Sequence, residues 1–178
     1  MPKVSVIIPT LDGSCNGNVE KLLGDIRRQT LKDLEVILIK GVSPNGRARN
    51  EGVKKARGDY LVFMDDDTIL GHERVIENLI APLERERRIG MTGASPMYPK
   101  DLPWLQGTFA QIRGGEFPIV KEIVDTDYAQ HACCALRKEV YEEVGWESED
   151  LITGTDNDLR QRLHRAGYRV VIVPETWV

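Results

Sequence analysis

The sequence is poor in several features that would point to familiar classes of protein. It has three cysteines in 178 residues, Cys15, Cys133 and Cys134. An odd count with an adjacent pair makes a poor disulfide framework and fits a reducing, cytoplasmic setting. The cysteines also lack the CxxC or histidine spacing of a zinc site, so Cys133 and Cys134 read as small, semi-buried core residues. No apolar run approaches the roughly 20 residues needed to cross a bilayer. Met1-Pro2-Lys3-Val4 leads straight into strand-like sequence, so no signal peptide is expected. A basic surplus is missing as well. The 24 Lys and Arg are outnumbered by 28 Asp and Glu, the two signs are interleaved, and the formal net charge is −4. A broad nucleic-acid-binding face would need clustered basic charge. No repeat or linker divides the chain, and its length allows one domain with a sizeable core.

What the sequence does contain is an alternation of strand and helix. Val4 to Ile8, Leu34 to Ile39, Tyr60 to Met64 and Ile89 to Ala94 are short apolar runs that read as buried strands. Between them, Val19, Leu22, Leu23 and Ile26 fall at helical spacing. Ala48 to Ala56 reads as a helix stopped by Gly58, and Val75, Ile76, Leu79, Ile80 and Leu83 mark a third. This predicts an α/β fold with a Rossmann-like, mostly parallel central sheet and helices on both faces. Such sheets bind ligands outside the carboxyl ends of their strands. The loops Thr10 to Ser14, Lys40 to Arg49 and Asp65 to Thr68 should therefore meet at one crevice. Residues 95 to about 127 are rich in Pro and Gly and lack a period, which suggests a lid or binding loop. Trp104, Phe109 and Phe117 give it an aromatic surface, or simply anchor it to the core. Order then returns, with a strand over Ala132 to Leu136, helices over Arg137 to Val144 and Asp156 to Ala166, and a strand over Arg169 to Val173.

Asp65-Asp66-Asp67 stand directly after Tyr60-Leu61-Val62-Phe63-Met64. Adjacent carboxylates repel and cannot be buried without a cation. Mg²⁺ and Mn²⁺ favour such oxygen ligands and commonly carry substrate phosphates. The plainer alternative is helix capping, with Asp67 or Thr68 opening the helix that follows.

Four segments, in this order and spacing, resemble one family. They are Val4-Ser5-Val6-Ile7-Ile8-Pro9-Thr10; Ala48-Arg49-Asn50-Glu51-Gly52 followed by Ala56-Arg57-Gly58-Asp59-Tyr60; Phe63-Met64-Asp65-Asp66-Asp67; and Thr155-Asp156-Asn157-Asp158-Leu159 with Arg162-Leu163 and Ala166-Gly167-Tyr168-Arg169-Val170. The chain is similar to the family 2 glycosyltransferases, nucleotide-sugar-dependent enzymes with the GT-A fold. The resemblance implies a single GT-A domain over 1–178, with a donor-binding half of about 1–95 and an acceptor-side half of about 96–178. It implies an inverting, hexosyltransferase-like reaction of the kind used in polysaccharide biosynthesis. The donor would be a nucleoside-diphosphate sugar, and the acceptor a saccharide, a lipid-linked sugar or a protein, with peripheral contact to a membrane. Asp65 and Asp67 correspond to the DxD metal motif and would hold Mn²⁺ or Mg²⁺; Asp65 has the ribose as a second role. Pro9, Thr10, Asp12, Arg47, Asn50, Asp65 and Asp66 fall on the nucleotide-sugar side. Arg49 is the alternative to Arg47 for the diphosphate, since either guanidinium suits phosphate oxygens; a solvated helix face is the plainer reading of both. Asp156 matches the general base, with Asp158 as the other carboxylate; an N-cap role for Asp156 or Thr155 stays open.

The match departs in places. Lys40-Gly41 stands where the family has a pair of Asp, which puts a uridine donor in doubt. Leu11 replaces an aromatic, and Thr155 replaces the Glu that precedes the base. The family's histidine beyond the closing strand has no counterpart before Val178, so either the C-terminus is truncated or that ligand is lost. His164 should face solvent, and His131 could face the site. A nucleotidyltransferase is the competing enzyme class, but Leu11-Asp12-Gly13-Ser14-Cys15 has no basic residue to cradle a triphosphate. A degenerate, non-catalytic GT-A binding module is the third reading.

Overall fold

A computed structural model of the chain describes residues 1–97 and 118–178. The described strands are β1 (Val4–Thr10), β2 (Leu34–Lys40), β3 (Tyr60–Met64), β4 (Ile89–Ser95), β5 (Val124–Asp125), β6 (Cys133–Arg137) and β7 (Arg169–Trp177). The described helices are a 3₁₀ turn (Cys15–Gly17), α1 (Asn18–Arg28), α2 (Asn45–Lys55), α3 (Val75–Arg85), α4 (Lys138–Glu143) and α5 (Thr155–Arg165).

One sheet holds all these strands in the order β2-β1-β3-β6-β4-β7-β5. β1, β2, β3, β4 and β7 run the same way, while β6 runs against β3 and β4, and β5 against β7. The expected mostly parallel sheet with helices on both faces is what forms. Alternation along a strand divides the core in two. Val62 and Met64 of β3 pack with α1 and α3, and Leu61 and Phe63 pack with α2, α4 and α5. With both faces covered, the central strands are buried along nearly their whole length and mostly apolar instead of alternating. Each large side chain buried this way contributes about 1.5–3 kcal/mol.

Several expectations need correction. Leu34 to Ile39 is no buried strand: β2 lies at the sheet edge beside β1, leaving Val36 and Leu38 36% and 40% exposed. An apolar run specifies a strand, while its place in the sheet depends on how the strands connect. β6 inserts between β3 and β4, so the successive βαβ reading fails there. α2 begins at Asn45 and is capped by Ala56. Gly58 does not stop it; its N–H donates to Ser5 Oγ at 2.9 Å. The brief β5 falls inside the stretch expected to be irregular. Trp104, Phe109 and Phe117 lie outside the described residues, as does most of the expected binding loop. Finally, α3 begins only at Val75, with Arg74 as its cap, so Asp67 and Thr68 cap no helix.

Candidate active site

β1, β2 and β3 are parallel, so the loops that follow them leave the same edge of the sheet. In the first loop, Thr10 Oγ1 accepts the Gly13 N–H at 3.2 Å. Asp12 Oδ1 accepts the N–H groups of Cys15 and Ser14, at 2.8 and 2.7 Å. These amides, with help from Lys40, hold the exposed Asp12 carboxyl below its usual range. Lys40 lies across the same turn: a Cβ on Gly13 would stand 3.2 Å from Lys40 Cδ. The lysine that departs from the family pattern thus packs on the first loop. Pro9 sits inside β1 opposite Ile39.

The second carboxylate group joins this loop. The Cys15 thiol is pushed up by burial and by Asp66, to which it hydrogen-bonds, so Asp66 faces the turn after β1. Thr68 locks the chain beyond, donating from Oγ1 to Ala132 O at 2.7 Å. Asp67 has the opposite electrostatics from Asp12. Partial burial and the neighbouring Asp65 and Asp66 raise its carboxyl above the ordinary value. A carboxylate crowded by its own kind is the chemistry a hard divalent cation relieves. Among the described residues no three His, Cys, Asp or Glu side chains form a closed metal cluster. Two carboxylates suit Mg²⁺ or Mn²⁺ where phosphates and water complete the coordination.

Helix α2 carries the group that unites the site. Arg49 is 3% exposed. One terminal nitrogen donates to Asp65 Oδ1 at 2.9 Å, and the other reaches Thr155 Oγ1 at 3.4 Å. Asp65, after β3, and Thr155, at the start of α5, are thereby held on one guanidinium. Arg49 is not a solvated face, and its charge is already engaged by protein. Arg47 is the exposed one, 3.7 Å from Glu51, and remains available to an anionic ligand. Asn50 is a different case from the expected donor contact. Its Nδ2 donates to Glu147 O and Glu149 Oε1, and its Oδ1 accepts from Tyr141 Oη and the Glu147 N–H. That exhausts an asparagine side chain; Asn50 pins the 147–149 segment to α2.

On α5, Gly154 is the cap and no side chain caps the helix, so neither Asp156 nor Thr155 fills the N-cap role. Asp156 accepts the Asn157 N–H at 2.9 Å and pairs with Arg160 at 3.1 Å. Burial would raise its carboxyl, but His131, Arg160 and Asn157 more than offset that, and it sits below the ordinary range. Asp156 is accordingly ionised near neutral pH, as a general base must be. Asp158 is spent on Arg162 at 2.9 Å.

The sequence reading missed Glu147. It is 3% exposed, and its Oε1 stands 2.8 Å from His131 Nε2, a short contact poorly aligned for a hydrogen bond. Burial pushes its carboxyl up; His131, Arg49 and the Thr155 hydroxyl bring it below the usual range. In sequence it is one acid among Glu147, Glu149 and Asp150, indistinguishable from a solvated loop. His131 is buried with its ring edge-on to Phe63, whereas His164 lies outside, beside Asp127. Cys133 and Cys134 are fully buried core groups. A cleft of about 730 Å³ between α3 and the end of β7 contains none of these side chains.

An α/β sheet with carboxylates gathered at its strand ends defines a class of ligand-binding enzyme folds, and the comparisons narrow it. The description "Glycosyltransferase like family 2" matches residues 2–178, and the chain belongs to that family. It is similar to the O-antigen biosynthesis protein RfbC of Myxococcus xanthus, at 26% identity over 143 residues, 71% of this chain and 11% of that one. Its fold matches the mannosyltransferase PcManGT from Pyrobaculum calidifontis, solved in complex with GDP-Man and Mn²⁺. That match has a TM-score of 0.74 at 19% identity and covers 99% of this chain and 56% of the other. It also matches S. aureus TarS 1-349 in complex with UDP, with a TM-score of 0.70 at 14% identity over 99% of this chain and 60% of that one. The fold is GT-A. The chain spans 11–26% of the length of the curated relatives it matches.

Proposed function

We propose that this chain is the catalytic domain of an inverting glycosyltransferase that moves a sugar from a nucleoside-diphosphate sugar to an acceptor hydroxyl. The observation that carries the reading is Arg49, whose two terminal nitrogens join Asp65 to the residue beside Asp156. A donor-side carboxylate and a candidate base thus flank one buried cation. Asp65 and Asp67 would hold Mn²⁺ or Mg²⁺, which when bound neutralises charge on the departing diphosphate. Asp156, ionised and 28% exposed at its side chain, takes the acceptor's hydroxyl proton as that oxygen attacks the anomeric carbon from the face opposite the diphosphate. Arg47, exposed at the start of α2, meets diphosphate oxygens. Residues 1–95 form the donor half and 96–178 the acceptor half of one domain.

The named neighbours supply the ligand class: GDP-Man and UDP are nucleotides of the expected kind. Lys40 over the first turn would meet a nucleobase through its carbonyl or ring-nitrogen acceptors. The family relationship to an O-antigen protein favours a saccharide or lipid-linked acceptor met at a membrane surface. No described helix is long and apolar enough to cross a membrane.

The test is binding followed by transfer. Melting is recorded with UDP, GDP, dTDP, ADP and CDP, each with and without Mn²⁺. A ligand at 100 times its Kd adds about 2.7 kcal/mol, or roughly 2–4 °C per kcal/mol in a domain of this size. One nucleotide should raise the midpoint only with Mn²⁺, and Asp67→Ala should abolish that rise. Asp156→Asn should keep the rise and lose transfer. If Asp156→Asn transfers sugar normally, the base assignment is wrong. No shift with any nucleotide would favour a non-catalytic module.

A further inference from the structure

Arg160 is not among the residues on which the family resemblance rests. It stands one helical turn beyond Asp156 on α5 and is 8% exposed. Pairs of this spacing on a helix surface are common and weak. This one differs, because the cation is buried and shares one nitrogen with another part of the chain. Its Nη1 donates to Ala129 O at 2.5 Å and to Asp156 Oδ2 at 3.1 Å. Ala129 is itself held in place. It is 0% exposed, and a Cβ on Gly93 of β4 would stand 2.8 Å from Ala129 Cβ. Three residues on, Ala132 O accepts the hydroxyl of Thr68, the neighbour of Asp67, at 2.7 Å. Segment 129–132 is thus fixed to the core at one end and to the carboxylate loop at the other, and Arg160 ties Asp156 to it. Arg160 Nε is buried with no hydrogen-bond partner among the described residues. An unmatched buried donor costs stability, so stability alone does not explain this arginine.

We propose that Arg160 is a positioning residue that aims the Asp156 carboxylate at the acceptor hydroxyl by tying it to the backbone of segment 129–132. The inference rests on the reading of Asp156 as the base. An aspartate in the first turn of a helix can otherwise rotate about both of its side-chain bonds. Here each oxygen is held from a different direction, Oδ2 by Arg160 and Oδ1 by the Asn157 N–H at 2.9 Å. A carboxylate oxygen can accept a second hydrogen bond, so both remain able to receive a proton, and the side chain is 28% exposed. A base acts only within hydrogen-bond reach of that proton, and fixing its direction is what a positioning contact supplies. The charged and titratable groups about Asp156 are Arg160 on its own helix and His131 on segment 129–132. Glu147 stands behind His131 at 2.8 Å, and Arg49 lies beyond Thr155. Of these, Arg160 is the one bonded to the carboxylate. Burial would favour the protonated acid, and His131 and Arg160 keep it ionised instead.

The test compares wild type, Arg160→Gln, Arg160→Lys and Asp156→Asn. Mn²⁺-dependent release of GDP from GDP-Man and of UDP from UDP-glucose is followed across pH, with water as the acceptor. The water oxygen bonds to the anomeric carbon, the bond to the diphosphate breaks, and Asp156 takes the proton. Arg160→Gln should lower kcat about 10- to 100-fold while the KM for the donor stays within about twofold. The acid limb of its rate profile should move up by about one pH unit, because a carboxylate that loses its neighbouring cation holds its proton to higher pH. Arg160→Lys keeps the charge and should return the acid limb to its wild-type position with most of kcat. If Arg160→Gln lowers only the melting midpoint and leaves kcat and the acid limb unchanged, Arg160 is structural and the inference fails. Arg160→Met, which fills the space without a buried polar group, is measured beside it with the same expectations. If neither variant folds, the role is structural and the inference fails as well. No donor turnover by wild type, or normal turnover by Asp156→Asn, would overturn the transferase or base reading and this inference with it. Those failures appear in proteins whose Arg160 is intact.

Discussion

Replacing Arg49 with Met is the perturbation that tests the site's construction most directly. The side chain is 4% exposed and bonds to Asp65 and Thr155, and its charge helps hold the Glu147 carboxyl below the usual range. Removing one member of a buried ion pair costs about 3–5 kcal/mol because the partner is left without compensation. Asp65 is 40% exposed at its side chain and regains water. Glu147 is 0% exposed at its side chain and cannot. The expected loss is therefore near the lower end, about 3 kcal/mol, or a midpoint drop of roughly 6–12 °C. The loss should also depend on pH. In wild type, Glu147 sits below its unfolded value, so it contributes stability that is present above that value and fades as pH falls through the folded one. Without Arg49 the folded value moves up and the contribution shrinks. The gap between wild type and Arg49→Met should thus be widest at neutral pH and narrow on acidification towards pH of about 4. Urea denaturation at stepped pH measures it. A gap below about 1 kcal/mol, or one that stays constant with pH, would refute the reading of Arg49 as the buried cation that joins Asp65 to α5.

Other expectations follow from single contacts. Gly46→Ala drives a Cβ to within 2.2 Å of Ser148 O; the 147–149 segment must shift, costing about 1–3 kcal/mol, and amide exchange in that segment should quicken. Because Asp67 is raised, protons compete with metal there sooner than at an ordinary aspartate. Mn²⁺-dependent nucleotide binding, followed by calorimetry across pH, should fall on acidification while the other carboxylates are still ionised. Gly71→Ala sets a Cβ 2.2 Å from the Trp177 indole nitrogen. It should unseat the indole from His72, whose ring centroid lies 4.7 Å away, and the change is readable as altered tryptophan fluorescence with a midpoint lowered by several degrees.

Much of this molecule is written in local pattern. Tyr60–Met64 is legible as a strand because five adjacent apolar residues fit no other element bounded by Gly58-Asp59 and three carboxylates. Val75 to Leu83 is legible as a helix by its spacing. The position of Asp65 to Asp67 at a strand's carboxyl end followed from those assignments, and with it the expectation of a cation-binding crevice. The edge position of β2 and the insertion of β6 were not legible, because period reports which faces are buried but not which strands are neighbours.

The site divides along the same line. The sequence by itself determined the α/β class and the family, and it marked Asp65, Asp67 and Asp156 as candidates, the first two by the strand before them and the last by the family resemblance. Only the tertiary structure decided which charges meet. Arg49 read equally as a diphosphate contact or a solvated helix face, and Asn50 as a donor contact or a residue holding loop geometry; the packing of α5 and of 147–149 against α2 decides that Arg49 is buried and that Asn50 holds a loop. Glu147 looked like part of a solvated acidic run. The physical reason is separation along the chain: Arg49 and Thr155 are 106 residues apart, and Asn50 and Glu147 are 97 apart. Burial and pairing at such distances come from how the elements pack, which no local spacing encodes.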